Sequence, residues 1–275
     1  MTAPAPYQQP GAAYASPIPV RRAHLGDALA SEWTKIRSVR STMWTLGIMI
    51  VLMVGIGSSV ALLVANSGVD TEGDSALTLG FFGVLLGSIC VITLGVLTIA
   101  SEYGTGMIRT TLTACPDRTR VLTAKAIVFF LLVFTITTVT ATLVAAFQMA
   151  VVNTSSASGS EWLRATVGVG LFMALLGLLA LAVGAMIRHS AGAITVMIGL
   201  MLLPLVSAMF MFSPSLADLQ QTLLEYAIPS QLIALYGESA AGGSGPAGWE
   251  PLLIMLVVAA VALGGAYLTL ERRDA

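Results

Sequence analysis

The sequence predicts an all-α polytopic membrane protein. It has six transmembrane helices, both termini cytoplasmic, an amphipathic interfacial helix before span one and short extracellular helices before span six. Three observations lead there. The first is composition: 56% of the 275 residues are hydrophobic and 10% charged, with a mean hydropathy of +0.89. An ordinary soluble domain has about 45–50% apolar and 25% charged residues. The second is a set of six apolar runs, each near the ~20 residues that cross ~30 Å of hydrocarbon. The third is the placement of the basic residues, nearly all of which fall on one side of those runs. No polar remainder is large enough for a folded soluble domain, so any large catalytic domain must come from another chain. A net charge of −1 also excludes a nucleic-acid partner, which needs a basic surface to attract phosphate.

Residues 1–22 have no charge before Arg21 and no long apolar core, so they read as a disordered cytoplasmic tail, not a cleaved signal peptide. Residues 23–275 form the six-span domain. Its opening stretch places Leu25, Leu29, Trp33, Ile36 and Arg40 at spacings of three and four, with Asp27, Ser31, Lys35 and Ser38 on another face. That pattern predicts an interfacial helix containing Glu32, Trp33, Lys35 and Arg37, with Trp33 at headgroup level. It serves either as a surface anchor alone or as a docking surface for a cytoplasmic partner.

The spans lie at about 43–65, 77–100, 126–152, 167–187, 191–212 and 252–270, and none contains Asp, Glu, Lys, Arg or His. Spans four and five are parted only by Arg188, His189 and Ser190, a tight helical hairpin. With an even count both termini share a side. Twelve of the 13 Lys and Arg then fall on that side and only Arg164 lies opposite, which makes it cytoplasmic under the positive-inside rule. A wrong count would scatter this asymmetry. Cys90 and Cys115 sit at different depths facing a reducing compartment, so no disulfide is expected.

Two loops carry information. Residues 101–120 leave the membrane at Ser101-Glu102-Tyr103, where Gly104 and Gly106 break the helix. A short helical piece with Met107, Ile108, Thr111 and Leu112 follows, and Pro116 ends it by forcing Cys115 out of helical geometry. Glu102 can pair with Arg109 or with a basic residue of the first amphipathic helix; the plainer alternative is a charged turn. The outer stretch 213–250 has no Lys or Arg. Leu216, Leu219, Leu223 and Leu224 repeat there at helical spacing over too few residues to span, and Leu232 to Tyr236 form another short apolar piece.

Other signals predict packing. The Met pairs in the spans lack accompanying Cys or His, so adaptable packing is favoured over a Cu(I) path. Gly83 and Gly87 allow close helix approach, with Gly55, Gly57, Gly264 and Gly265 adding small surfaces. Thr135, Thr137, Thr138, Thr140, Thr142 and Gln148 give span three a polar component that either faces a translocation path or bonds its own backbone. Pro204 is expected to kink span five.

Three segments together resemble a type 2 ABC-transporter permease subunit of a bacterial half-transporter. They are Glu32-Trp33-Thr34-Lys35-Ile36-Arg37-Ser38 before span one, Glu102-Tyr103-Gly104-Thr105-Gly106-Met107-Ile108-Arg109-Thr110-Thr111 after span two, and the long outer segment before span six. The resemblance covers residues 24 to 275. It implies that the loop after span two is a coupling helix seated on a separate ABC ATPase, with Glu102, Tyr103, Thr105, Arg109, Thr110 and Thr111 as the coupling segment. It also implies a second permease copy, identical or related, and export across a bacterial plasma membrane. The chain has no Gly-x-x-x-x-Gly-Lys-Ser/Thr loop, so the expectation is no catalytic, cofactor or metal site of its own, with ATP and Mg on the partner ATPase. Two other classes stay open: an ion-coupled secondary transporter, demoted by spans without ionisable residues, and a non-transporting membrane anchor for an ATPase or sensor. The sequence does not name a substrate.

Overall fold

A computed structural model of the chain describes residues 24–67, 75–115, 117–152, 157–237 and 245–272, and these are all-helical, with no strand among them. The tail expected at 1–22 lies outside the described residues. Helix α1 (Leu25–Ser38) is separated from α2 (Arg40–Ser67) by Val39 alone, whose extended backbone breaks the run. A 3-10 turn at Ala76–Gly80 leads into α3 (Phe81–Gly104), followed by α4 (Met107–Ala114) and α5 (Arg118–Val151). Next come α6 (Gly159–Leu163), a π turn at Arg164–Gly168, α7 (Val169–Ile187) and α8 (Ser190–Met209). After α8 come a 3-10 turn at Pro214–Leu216, α9 (Ala217–Tyr226) and α10 (Ile228–Ala234), and then α11 (Glu250–Arg272).

Among the described residues, six helical stretches are long and apolar enough to cross a membrane, one at each expected position. Most extend beyond the apolar run that announced them. α5 begins eight residues before the run at 126–152 because Asp117 caps it, accepting a hydrogen bond from the Arg120 amide at 3.1 Å. At about 1.5 Å per residue its 34 residues reach roughly 50 Å, well past the hydrocarbon.

α7 is the axle of the bundle. It packs against α3, α5, α8 and α11, and 72% of its apolar window is buried against 17% for α11. Small residues permit this: a Cβ on Gly95 of α3 would lie 2.5 Å from the Gly177 carbonyl oxygen, and one on Gly177 would lie 2.5 Å from the Phe129 ring. Gly83 and Gly87 seat α3 on Met53 of α2 as expected, whereas Gly55 and Gly264 face open space. Most span-three hydroxyls bond their own backbone: Thr137 to Val133, Thr140 to Ile136 and Thr142 to Thr138. α8 continues through Pro204, with the Ser207 hydroxyl donating to the Pro204 carbonyl at 3.0 Å. Of the two short helices between α8 and α11, α9 buries no residue, while α10 buries six of its seven.

Candidate functional site

The end of the bundle that carries most of the basic residues is built around one ammonium. Lys125 lies in the second turn of α5, on the same stripe as Val121, Leu122, Val128 and Phe129, all buried. It is 1% exposed. Its Nζ donates to Glu32 Oε2 and to Glu102 Oε1, each at 2.6 Å. A second ammonium, Lys35, donates to Glu32 Oε1 at 2.7 Å, Glu102 Oε1 at 3.0 Å and Thr111 Oγ1 at 3.3 Å. Two carboxylates and two ammoniums therefore form a closed, neutral network that ties α1, α3, α4 and α5 together.

Neutrality matters because burying one ion costs several kcal/mol unless it is paired and hydrogen-bonded. Glu32 and Glu102 are 3% and 2% exposed, so neither keeps bulk water as compensation. Burial alone would push the Lys35 pKa down. Its hydrogen bonds to Glu32 and Glu102 and their negative charges outweigh this and hold it above the ordinary value. One atom is left over: Glu102 Oε2 has no hydrogen-bond partner among the described residues.

The local sequence explains how these groups meet. The capping box at His24 and Asp27, with His24 N–H donating to Asp27 Oδ2 at 3.0 Å, starts α1. Three and four residues are about one helical turn, so Glu32, Lys35 and Ile36 share a face, and that face turns onto the bundle. Trp33 and Arg37 occupy another, with the guanidinium 5.9 Å from the indole centroid and Trp33 45% exposed. The four residues expected on an interfacial helix thus divide into an ionic pair turned onto the bundle, Glu32 buried and Lys35 half-buried, and an exposed cation–aromatic pair. This corrects the expected alignment: Lys35, assigned to the face away from the apolar stripe, faces the protein because the buried Glu102 carboxylate accepts its hydrogen bond there.

At the end of α3, Gly106 has φ +72° and serves as the N-cap of α4. Only glycine takes that backbone without a steric cost. α4 then ends at Ala114, with Cys115 extended, as Pro116 requires. Of the six residues expected to act in this loop, Glu102 and Thr111 join the network. Tyr103 lies beneath the Arg188 guanidinium, 4.9 Å from its ring centroid, and so reaches the α7–α8 turn. Thr105, Arg109 and Thr110 are exposed. Of the two partners considered for Glu102, the α1 residue Lys35 is the one found.

Lys125 was not singled out in the sequence, where it counts as one more basic residue beside a span. The signal was present. Running α5 back to its Asp117 cap puts Lys125 on the apolar stripe, and a lysine there needs an anion. The same end carries two further ties between α5 and α11: Arg118 Nη1 to the Leu270 carbonyl at 2.9 Å, and Thr123 Oγ1 to Tyr267 Oη at 2.8 Å. The two histidines are helix-start residues, His189 Nδ1 accepting from the Gly192 amide at 3.0 Å. Both cysteines are free.

No curated protein matches the chain. The profile of ABC-2 family transporter proteins matches residues 28–217, more than two thirds of the sequence, from within α1 to the start of α9. Together with its six membrane-capable helices, that match makes the chain a multi-pass member of the ABC-2 transporter family, the membrane permease of an ABC transporter.

Proposed function

We propose that this permease is half of an ATP-driven exporter in which two copies, identical or related, form the translocation path between them and each docks one separate ATPase subunit through α4. The ATPase carries ATP and Mg, and this chain converts its closure into movement of membrane helices. The observation that carries the reading is the ionic network. A load applied to α4 meets Lys35 through Thr111, and Lys35 is held by the same carboxylates that hold Lys125. α1, α3 and α5 therefore take up that load together as a rigid body.

Within this reading the exposed residues Thr105, Arg109 and Thr110 contact the ATPase, and Glu32, Lys35, Glu102 and Thr111 transmit. Tyr103 carries the movement to the α7–α8 turn through Arg188. Trp33 and Arg37 hold α1 at the headgroup level of the membrane. The basic end is cytoplasmic, since it gathers twelve of the 13 Lys and Arg, and the membrane is a bacterial plasma membrane.

The test is co-purification of the tagged chain from mild detergent with its ATPase, with ATP hydrolysis and transport measured on reconstituted complexes. Arg109→Ala is expected to weaken association with the ATPase. Glu102→Ala is expected to leave association intact and to uncouple hydrolysis from transport. Unchanged assembly and transport in the Arg109→Ala, Glu102→Ala double variant would overturn the proposal.

A further inference from the structure

A groove runs between α1 and α5. Its volume is about 660 Å³, with Leu29 and Trp33 of α1 on one side and Ile127, Leu131 and Ile136 of α5 on the other. Every lining residue but Thr135 is apolar. Trp33 and Leu131 are 45% and 54% exposed, so the groove lies open to its surroundings. Along α5 it runs from residue 127 to 136, roughly 14 Å at about 1.5 Å per residue. All of that length belongs to the apolar run of span three, so its occupant lies within the hydrocarbon.

Size and charge choose the occupant. A helix about 10–12 Å across, laid along that length, needs about 1,100 Å³ or more. That is well beyond the volume present, whereas a flexible acyl chain fits it. The rim supplies the charge. Trp33 of the groove wall carries the Arg37 guanidinium 5.9 Å from its ring centroid, and Arg37 has no ion pair among the described residues. Glu32, the carboxylate next in sequence to Trp33, is already held by Lys35 and Lys125. An exposed guanidinium beside an apolar groove therefore suits a phosphate, whose oxygens match its parallel N–H donors.

We propose that this groove binds one anionic phospholipid of the leaflet at the basic end of the bundle, an acyl chain lying between α1 and α5 and the phosphate paired with Arg37. A lipid whose headgroup carries no cation, such as phosphatidylglycerol, leaves its negative charge free for the guanidinium. Phosphatidylethanolamine instead brings an ammonium that repels Arg37 and competes for the same phosphate. Glu32 ties one face of α1 to α5 through Lys125, and the lipid joins the Trp33 face to the same helix. The site rests on the placement of Trp33 and Arg37 at headgroup level given above and is independent of how the ATPase is engaged.

The test is native mass spectrometry of the purified full chain released from detergent, with phosphatidylglycerol and phosphatidylethanolamine of matched acyl chains added one at a time. One phosphatidylglycerol is expected to be retained at about fivefold lower lipid concentration than phosphatidylethanolamine, the share one basic side chain contributes to binding an anionic lipid. Arg37→Gln is expected to erase that preference. Leu131→Trp, which fills the groove from a largely exposed position, is expected to lower retention of both lipids while leaving Arg37 in place. Equal retention of the two lipids by the wild type, or retention unchanged by Leu131→Trp, would overturn the proposal. So would loss of a dimer mass in Leu131→Trp without loss of lipid, which would make the groove a seat for a second copy. Iodide quenching of Trp33 in lipid nanodiscs, read as the difference from Trp33→Phe, checks the headgroup placement separately. A shielded Trp33 with no lipid preference defeats the site alone, and a freely quenched Trp33 defeats the placement as well.

Discussion

α5 carries a buried polar side chain at each end, and the two are held in different ways. Lys125 has two carboxylates at 2.6 Å. Gln148, 23 residues or about 35 Å further along the helix axis, donates from Nε2 to the Gly57 carbonyl of α2 at 3.3 Å, while its Oε1 has no partner among the described residues. Beside it is a cavity of about 10 Å³, also lined by Tyr236 and Gly80, the size of a single water. The difference lies in what separation exposes. Parting the helices at Lys125 strands charges in a low-dielectric setting, whereas parting them at Gln148 exposes neutral groups that water can satisfy at small cost. The charged end is therefore a rigid joint, and the amide end is where the bundle opens more cheaply.

The sharpest way to break that contrast is Lys125→Met. It leaves Glu32 and Glu102 buried with only Lys35 between them, and removing one member of a buried ionic set costs about 3–5 kcal/mol. Thermal unfolding in detergent is expected to show the largest loss of any single substitution at either end. Adding Glu102→Leu to Lys125→Met should recover most of it, because Glu32 and Lys35 then remain as a neutral i,i+3 pair. A double variant no better than the single would show that charge balance is not what holds this end.

Smaller effects sharpen the comparison. Lys35→Ala removes a side chain that is 26% exposed, and water softens its loss, so about 1 kcal/mol is expected by the same unfolding measurement, with a larger deficit in transport than in stability. Gln148→Leu should change stability by less than about 1 kcal/mol, since it removes one long hydrogen bond and one unmet acceptor together. Smallest is the dependence on pH. The Lys35 pKa lies above its ordinary 10.5 in the folded protein. Its contribution is therefore complete below pH 10.5 and is lost only as pH rises through the higher folded value. Unfolding temperatures measured up to pH 10 should show no loss from this group, and an earlier loss would contradict the ionic arrangement around it.

Much of this architecture was legible in the residues. The apolar runs located six helices because crossing hydrocarbon demands length and apolarity from each segment by itself. Gly106 and Pro116 marked the limits of α4 for equally local reasons of backbone geometry. Glu102 was legible as a group in need of a basic partner. Its second partner was not, because Lys125 becomes an interior residue only once α5 is extended back to its cap and α1 is folded against it. The facing of α1 was misread for the same reason: an apolar stripe indicates what a helix buries when its neighbours are apolar, and here the neighbours at that point are Glu102 and Lys125. The two short helices between α8 and α11 show the same limit. Periodicity marks both as short, yet only tertiary packing makes α10 interior and leaves α9 at the surface.

The central position of α7 has a consequence for the order of assembly. Helices leave the ribosome in chain order, so α7 meets α3 and α5 already in place, with Gly170, Gly177 and Gly184 presenting a cleft every two turns. Its remaining side stays uncovered until α11 arrives and is set in register by Arg118 and Thr123 of α5. A helix made after α7 and α8 thus covers the face of α7 that α3 and α5 leave open.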